Sequence, residues 1–297
     1  MPDPGSPLAR LGVSIQHLLP QRALTALAHR ISTARAGWIR RPLIAGFRRL
    51  YEVDLDEAVV PASGFDSFDS FFTRALKPDA RPPASVGTGL LCPCDGTLSQ
   101  AGPIFEEPSG GRIVQAKGRD YSLAELLADE KAAEAFTGGR FATVYLAPYD
   151  YHRVHVPCDA TLRTEIRVPG RLFSVSDATS RHIDRLFARN ERMVALFDTA
   201  HGPMAVVMVA AMLVAGIETV WDAGLRLRPG RDVARIDFDP TVRLSAGAEL
   251  GRFHWGSTVI VVTGRDAPDW VDGLVPGRRM RLGEALTGPR APGRAEN

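Results

Sequence analysis

The sequence predicts an α+β protein, with an N-terminal amphipathic helical region followed by a β-rich body with inserted helices. Three observations carry this reading. In the first fifty positions apolar residues recur at helical spacing: Leu8, Leu11, Ile15, Leu18 and Leu19, then Leu24, Leu27 and Ile31 after Pro20. From about Leu90 the pattern changes to short β-branched runs broken by Gly and Pro, among them RFATVYLAP, ATLRTEIRVPG, ERMVALFDT, GPMAVVMVAAM and STVIVVTG. Within that body SLAELLADEKAAEAF (122–136) returns to helical patterning, with Ser122 as N-cap and Glu125 completing a capping box.

Taken in order, residues 8–50 read as two or three helices. FDSFDSFFTRALKPDARP (65–82) reads as a capped helix running into a Pro-rich connector. The apolar run MAVVMVAAMLVAGI (204–217) has 14 residues. That is too short to cross a bilayer as a helix, and it reads as buried strand. Past Thr287 the chain is Pro, Gly and charge, the composition of a disordered tail. The expected division is a helical front end at 1–64, an α+β domain at 65–286 and a tail at 287–297. No internal repeat is visible.

The bulk numbers narrow the function. A chain of 297 residues with 45% hydrophobic and 24% charged content is an ordinary globular protein. Its net charge of +2 hides an asymmetry: residues 1–50 hold eight arginines, no lysine and one acid (+7), so the remainder carries −5. A basic front end on an acidic body points to an anionic surface, membrane or nucleic acid. Trp38 and Phe47 among the arginines, with almost no acids, favour the headgroup layer of a membrane. Three cysteines, Cys92, Cys94 and Cys158, make no disulfide framework and favour a reducing compartment. The opening MPDPGSPLAR lacks the pattern of a secretory signal.

Three stretches could carry chemistry. In CPCDGTLSQAG, Asp95-Gly96 is a common turn dipeptide, so a structural role is the plain reading of Asp95. In APYDYHRVHVPCDA, His152 and His155 lie three apart; on an extended segment they face opposite sides, and they share a pocket only if the chain bends between Pro148 and Pro157. In GRFHWGSTVIVV, Gly256-Ser257-Thr258 stands at the mouth of a strand, where a turn is the plain reading. Two chemistries remain open at this level. Cys92, Cys94, His152, His155 and Cys158 could bind zinc for a hydrolase, although neither Cys-x-Cys nor His-x-x-His has the usual ligand spacing. Ser257 could be a nucleophile, although it lacks the Gly-x-Ser-x-Gly elbow and no histidine follows it. A lipid-binding module without catalysis is a third possibility.

Longer blocks decide among these. YDYHRVHVPC, VPGRLFSVSDAT, LFARNERMVALFDT, GIETVW, QAKGRDYSL and GRFHWGSTVI, collinear from about Leu11 to about Thr263, resemble the bacterial, pyruvoyl-dependent phosphatidylserine decarboxylase family. The usual Leu-Gly-Ser-Thr at the family's cleavage point differs in one place: Trp255 stands for the leucine.

The resemblance implies that the chain cuts itself at Gly256-Ser257 into a large chain (1–256) and a small chain (257–297). His155 takes the Ser257 proton, Asp95 orients the imidazole, and Ser257 becomes a pyruvoyl group that forms a Schiff base with the substrate amine. His152 is the implied proton donor in decarboxylation. The implied substrate is phosphatidylserine in an anionic membrane and the product phosphatidylethanolamine. Large and small chains are expected to form a heterodimer, with a dimer of heterodimers as the further assembly. The expected location is peripheral, on the cytoplasmic side of the inner membrane, and no nucleic acid or metal is implied. The only lysines are Lys77, Lys117 and Lys131, none in a recognisable pyridoxal site, which agrees with a pyruvoyl electron sink.

Overall fold

Seven consecutive uncharged residues, Ser257–Thr263, are buried throughout and pair on both sides. A strand buried in this way needs a neighbour along each edge to satisfy its amides and carbonyls, and the body is organised around it. The computed structural model describes Val13, Gln16 and residues 19–85, 87, 89–107, 111–116, 118–212, 216–222, 232–254 and 256–288. Its helices are α1 (Gln21–Ser32), α2 (Gly37–Leu50), α3 (Phe68–Phe72), α4 (Leu123–Leu127), α5 (Glu130–Glu134), α6 (Asp177–Ser180) and α7 (Leu186–Arg189). The strands are β1 (Gly96–Pro103), β2 (Arg112–Ala116), β3 (Arg119–Ser122), β4 (Arg140–Leu146), β5 (Arg153–His155), β6 (Ala160–Val168) and β7 (Arg192–Thr199). They continue with β8 (Gly202–Ala210), β9 (Ile217–Thr219), β10 (Ala234–Leu244), β11 (Glu249–Phe253), β12 (Ser257–Thr263) and β13 (Arg279–Met280). An eight-stranded antiparallel sheet runs β10-β6-β7-β8-β12-β4-β1-β13, beside a three-stranded sheet β5-β11-β9 and the pair β2-β3. This is the expected α+β architecture.

Register gathers the sequence candidates at one end of the large sheet. Ser257 lies opposite Leu146 at the end of β4 and Ala210 at the end of β8. Two strands away, Gly96 opens β1 opposite Met280. The segment leaving β4, which carries both His152 and His155, therefore starts beside Ser257. Asp95-Gly96 is not a free turn. Gly96 is already in the sheet, and a Cβ there would stand 2.5 Å from the Tyr145 carbonyl oxygen and 2.6 Å from Val144 Cγ1. Glycine is required by the close approach of β4.

Local signals in the sequence were right about position and wrong about length. The expected helix over 122–136 divides into α4 and α5, because Ala128 adopts a left-handed conformation (φ 54°) and Asp129 starts a new helix by accepting from Ala132 N at 2.9 Å. Ser122 caps Glu125 N, but the Glu125 carboxylate pairs with Arg185 at 2.7 Å, so half of the capping box forms. The run 204–217 is shared by β8, which ends at Ala210, and β9, which starts at Ile217. The helix expected near 65–82 is the single turn α3, closed by a Ser67/Ser70 capping box. Of the tail, residues 289–297 lie outside the described residues. Thr287 belongs to the fold: it is buried and its hydroxyl accepts from Leu90 N at 2.7 Å.

The helical front end is docked, not separate. Leu43, Ile44 and Phe47 of α2 pack on Phe68, Phe71 and Phe72 of α3, with the Phe47 ring edge-on to Phe68 at 5.2 Å. A second tie runs through the loop after β6. Gln21 and Gln16 side-chain carbonyls accept from Leu172 N and Ser174 N, both at 2.9 Å. Asn190 then grips the same loop, accepting from Phe173 N at 3.2 Å and donating to the carbonyls of Phe173 and Ala210 at 2.9 Å. Asn190→Ala should therefore cost roughly 3 kcal/mol, since a buried group left without its partner costs about 1–3 kcal/mol. Urea unfolding of the two proteins checks this.

Candidate active site

The segment 147–155 folds back over the end of β4, and two arginines, Arg74 buried and Arg279 exposed, hold it there. Asp150 is buried, accepts from Ala147 N at 2.7 Å and pairs with Arg279 at 2.6 Å. Arg74, directly after α3, is 5% exposed and donates to the carbonyls of Tyr149 (3.2 Å) and Asp150 (3.5 Å). His152 is wholly buried, stacked on Phe72 at 4.1 Å between ring centroids, with Nε2 3.4 Å from the Pro148 carbonyl oxygen. Burial first, and the Arg74 charge second, push its pKa down to about 3. His152 is a neutral imidazole at physiological pH.

His155 has different surroundings. It is half-buried at the end of β5 and lines a cavity of about 330 Å³ with Arg81, Tyr151, Gly247 and Leu282. Nδ1 lies 2.8 Å from the Gly247 carbonyl oxygen and Nε2 lies 3.0 Å from the Tyr151 hydroxyl. A carbonyl only accepts, so Nδ1 carries the proton and Nε2 presents its lone pair to the tyrosine. Burial lowers the His155 pKa; the Gly247 carbonyl, Glu249 and Asp95 act in the opposite direction. A neutral imidazole with a basic Nε2 is the form a general base requires.

Asp95 adjoins this imidazole through the backbone, because His155 N donates to the Pro93 carbonyl at 2.8 Å. Its carboxylate is fully engaged. Arg81 donates from Nε at 3.0 Å and from Nη2 at 2.7 Å, and Leu282 N donates at 2.8 Å. Arg81 also pairs with Glu57 at 2.8 Å, and these carboxylates raise its pKa further. Ser257 is wholly buried at the first rung of β12, and its Oγ has no hydrogen-bond partner among the described residues.

Against known proteins, residues 68–288 match the family model described as phosphatidylserine decarboxylase, and residues 11–52 match one described as PSD. Three relatives, each called phosphatidylserine decarboxylase proenzyme, align over nearly the whole chain. That of Azotobacter vinelandii is 49% identical over 283 residues, 93% of this chain and 97% of the relative. Those of Pseudomonas paraeruginosa and Pseudomonas aeruginosa are each 51% identical over 287 residues, 95% of this chain and 98% of the relative. The chain belongs to the phosphatidylserine decarboxylase family.

Within this family member the structure brings Asp95 and His155 onto adjoining segments and sets Ser257 at the same end of the sheet. No described hydrogen bond joins the three. His152 and His155 do not share a pocket: one stacks on Phe72 and the other faces Tyr151. Trp255 lies outside the described residues. The zinc alternative is overturned, because the described His, Cys, Asp and Glu side chains form no group of three or more that could hold a metal ion. Burial pushes the Cys92 and Cys158 thiols up to about 12 and Cys94 well above its ordinary value, so all three are protonated, unreactive thiols in this structure.

Four residues at this end were missed by sequence reasoning: Arg74, Arg81, Tyr151 and His254. Arg81 sits in the Pro-rich connector, where nothing local marks a carboxylate partner 14 residues on. Tyr151 lies within YDYHRVHVPC, and its contact with His155 arises from the fold-back after β4. The His152 pKa lies below its unfolded value, so its contribution to stability is complete above about pH 6.5 and lost as the pH falls towards 3. Unfolding midpoints should fall across that window, and His152→Gln should flatten the fall. An imidazole titrating near 6.5 by NMR at this position would contradict the assignment.

Proposed function

We propose that the chain is made as a precursor, breaks its own Gly256–Ser257 bond, and then converts phosphatidylserine to phosphatidylethanolamine and CO2. The observation that carries this is the near-half identity to decarboxylase proenzymes over more than nine-tenths of the chain. In the scission, Ser257 Oγ attacks the Gly256 carbonyl carbon, and His155 Nε2 takes the hydroxyl proton and passes it to the departing amide nitrogen. An ester replaces the amide. Loss of the Ser257 Cα proton then breaks the Cβ–Oγ bond, releasing Gly256 as a carboxylate and leaving dehydroalanine. One water enters, one ammonia leaves, and a ketone remains at position 257.

Several features support these roles. The Nδ1–H bond to Gly247 fixes the tautomer that leaves Nε2 basic, and Tyr151 must yield that lone pair for Ser257 to use it. The Asp95 charge favours the imidazolium that forms. Holding hydroxyl and carbonyl on one chain makes a slow attack unimolecular. Residue 257 also suits conversion to a pyruvoyl group, because the hydroxyl to be lost makes no hydrogen bond among the described residues. A methyl on Gly256 would meet only the Leu146 carbonyl oxygen at 3.6 Å among them, so glycine is not needed there for space. When formed, the group supplies a ketone for the substrate amine and a conjugated carbonyl that accepts the electrons released with CO2. We assign His152 the protonation of the substrate carbon. Burial keeps it neutral at rest, and negative charge building up beside it raises its affinity for a proton.

The purified protein should show two chains on a denaturing gel, and Ser257→Ala a single intact band. The small chain should begin at 257 with its amino nitrogen lost by intact mass. A turnover-competent protein with an unmodified Ser257 would refute the proposal.

The substrate stays in the bilayer, so the enzyme must come to it. Among the described residues no helix is long and apolar enough to cross a membrane. The front helices instead expose apolar side chains next to arginines: Trp38 is 80% exposed, Leu50 74%, Leu27 56% and Ile31 41%. This surface suits peripheral attachment to the anionic cytoplasmic face of the inner membrane. Replacing Arg41, Arg48 and Arg49 by glutamine should weaken sedimentation with phosphatidylserine vesicles on the order of a hundredfold, at about 1 kcal/mol per charge, and raised salt should reproduce the loss.

A further inference from the structure

We infer that His254 is a positioning residue for the self-scission, acting as a buried cation that pins the chain just ahead of the bond to be cut. The inference rests on the scission proposed above. His254 is 2% exposed and its two ring nitrogens reach two carboxylates on different elements: Nδ1 lies 2.8 Å from Asp69 Oδ1 in α3, and Nε2 lies 3.2 Å from Glu218 Oε2 in β9. An ionised carboxylate only accepts. Both nitrogens must therefore donate, and the ring is an imidazolium. The backbone is held as well, with His254 N donating to the Gly216 carbonyl at 3.2 Å and Phe253 N to the His152 carbonyl at 2.9 Å.

On the other side of the bond, Ser257 is fixed by its pairing with Leu146 and Ala210. Only Trp255 and Gly256 lie between the two fixed points. The approach of Oγ to the Gly256 carbonyl is thus set by two anchors, one a sheet register and the other an ion-paired side chain. The charge is what makes the second anchor firm. Asp69 is buried, and a carboxylate out of water is stable only when paired. A neutral side chain at 254 would remove the cation that bridges Asp69 and Glu218, leaving Arg252 at 3.9 Å on the Glu218 side alone, and the tie between α3 and β9 would loosen. A displacement of roughly 1 Å at a reacting pair can cost about a hundredfold in rate.

The test is a pulse–chase of the full chain made by cell-free translation, following conversion of the 297-residue band to two fragments. Wild type should cut; if it does not, the scission reading itself fails. Given a wild type that cuts, His254→Gln should slow conversion by about tenfold or more, while His254→Lys, which keeps the cation, should recover most of the rate. Asp69→Asn should slow it as well. Conversion of His254→Gln at the wild-type rate overturns the role, as does His254→Lys being slower than His254→Gln, which would mean that shape and not charge matters. Melting of His254→Gln on the Ser257→Ala background separates slow cutting from misfolding. Should that variant not fold, Asp69→Asn and His254→Lys decide: wild-type rates in Asp69→Asn, or no cutting by a folded His254→Lys, overturn the inference.

Discussion

The pairing of β12 is the constraint on which the rest depends. Its seven residues are bonded to β4 on one side and β8 on the other without a break in register. A strand held on both edges cannot slide, because a one-residue slip would turn every side chain to the opposite face. Ser257 is therefore fixed at the end of the sheet, and so are its neighbours at the ends of β4 and β8 and the start of β1. Glycine at position 96 serves the same arrangement, since β1 can open beside β4 only without a side chain there.

Around this end the structure gathers charge, with Arg74 and Arg81 largely shielded from water and Arg279 exposed. Arg74, Arg81 and Arg279 reach Asp95, Asp150 and the carbonyls of the 147–155 segment. Arginine suits such places because its planar, permanently charged fork meets carboxylates and carbonyls with several donors at once. The effect on the two histidines is unequal. His152, sealed beside Arg74, is kept neutral far into the acid range, while His155, half-buried, feels Glu249 and Asp95 as well. Two imidazoles three residues apart thus meet different electrostatic surroundings.

The division into helical front and sheet body was legible because it rests on apolar periodicity, a property of the chain alone. So was the cap at Ser122, which needs only a neighbour three residues away. Element lengths were less legible. Nothing in SLAELLADEKAAEAF announces that Ala128 turns left-handed, and the apolar run from 204 does not show where one strand stops and another starts. At the site, the spacing of Asp95, His155 and Ser257 carried no signal without the family resemblance. Their actual partners, Arg81 with Asp95 and Tyr151 with His155, arise from tertiary contacts that local patterns do not encode.

The place of β12 also determines what kind of object the cut protein is. The 41 residues beyond Gly256 supply an interior strand of the sheet and, through β13, its far edge. On the proposed scission, the two products are interleaved polypeptides that neither part nor exchange with those of another molecule. Pulled apart, the longer one would expose raw ladder edges along β4 and β8, an invitation to aggregate. Maturation is then a one-way event that only an intact, correctly folded precursor can perform, so the number of working enzymes records how many chains once folded whole.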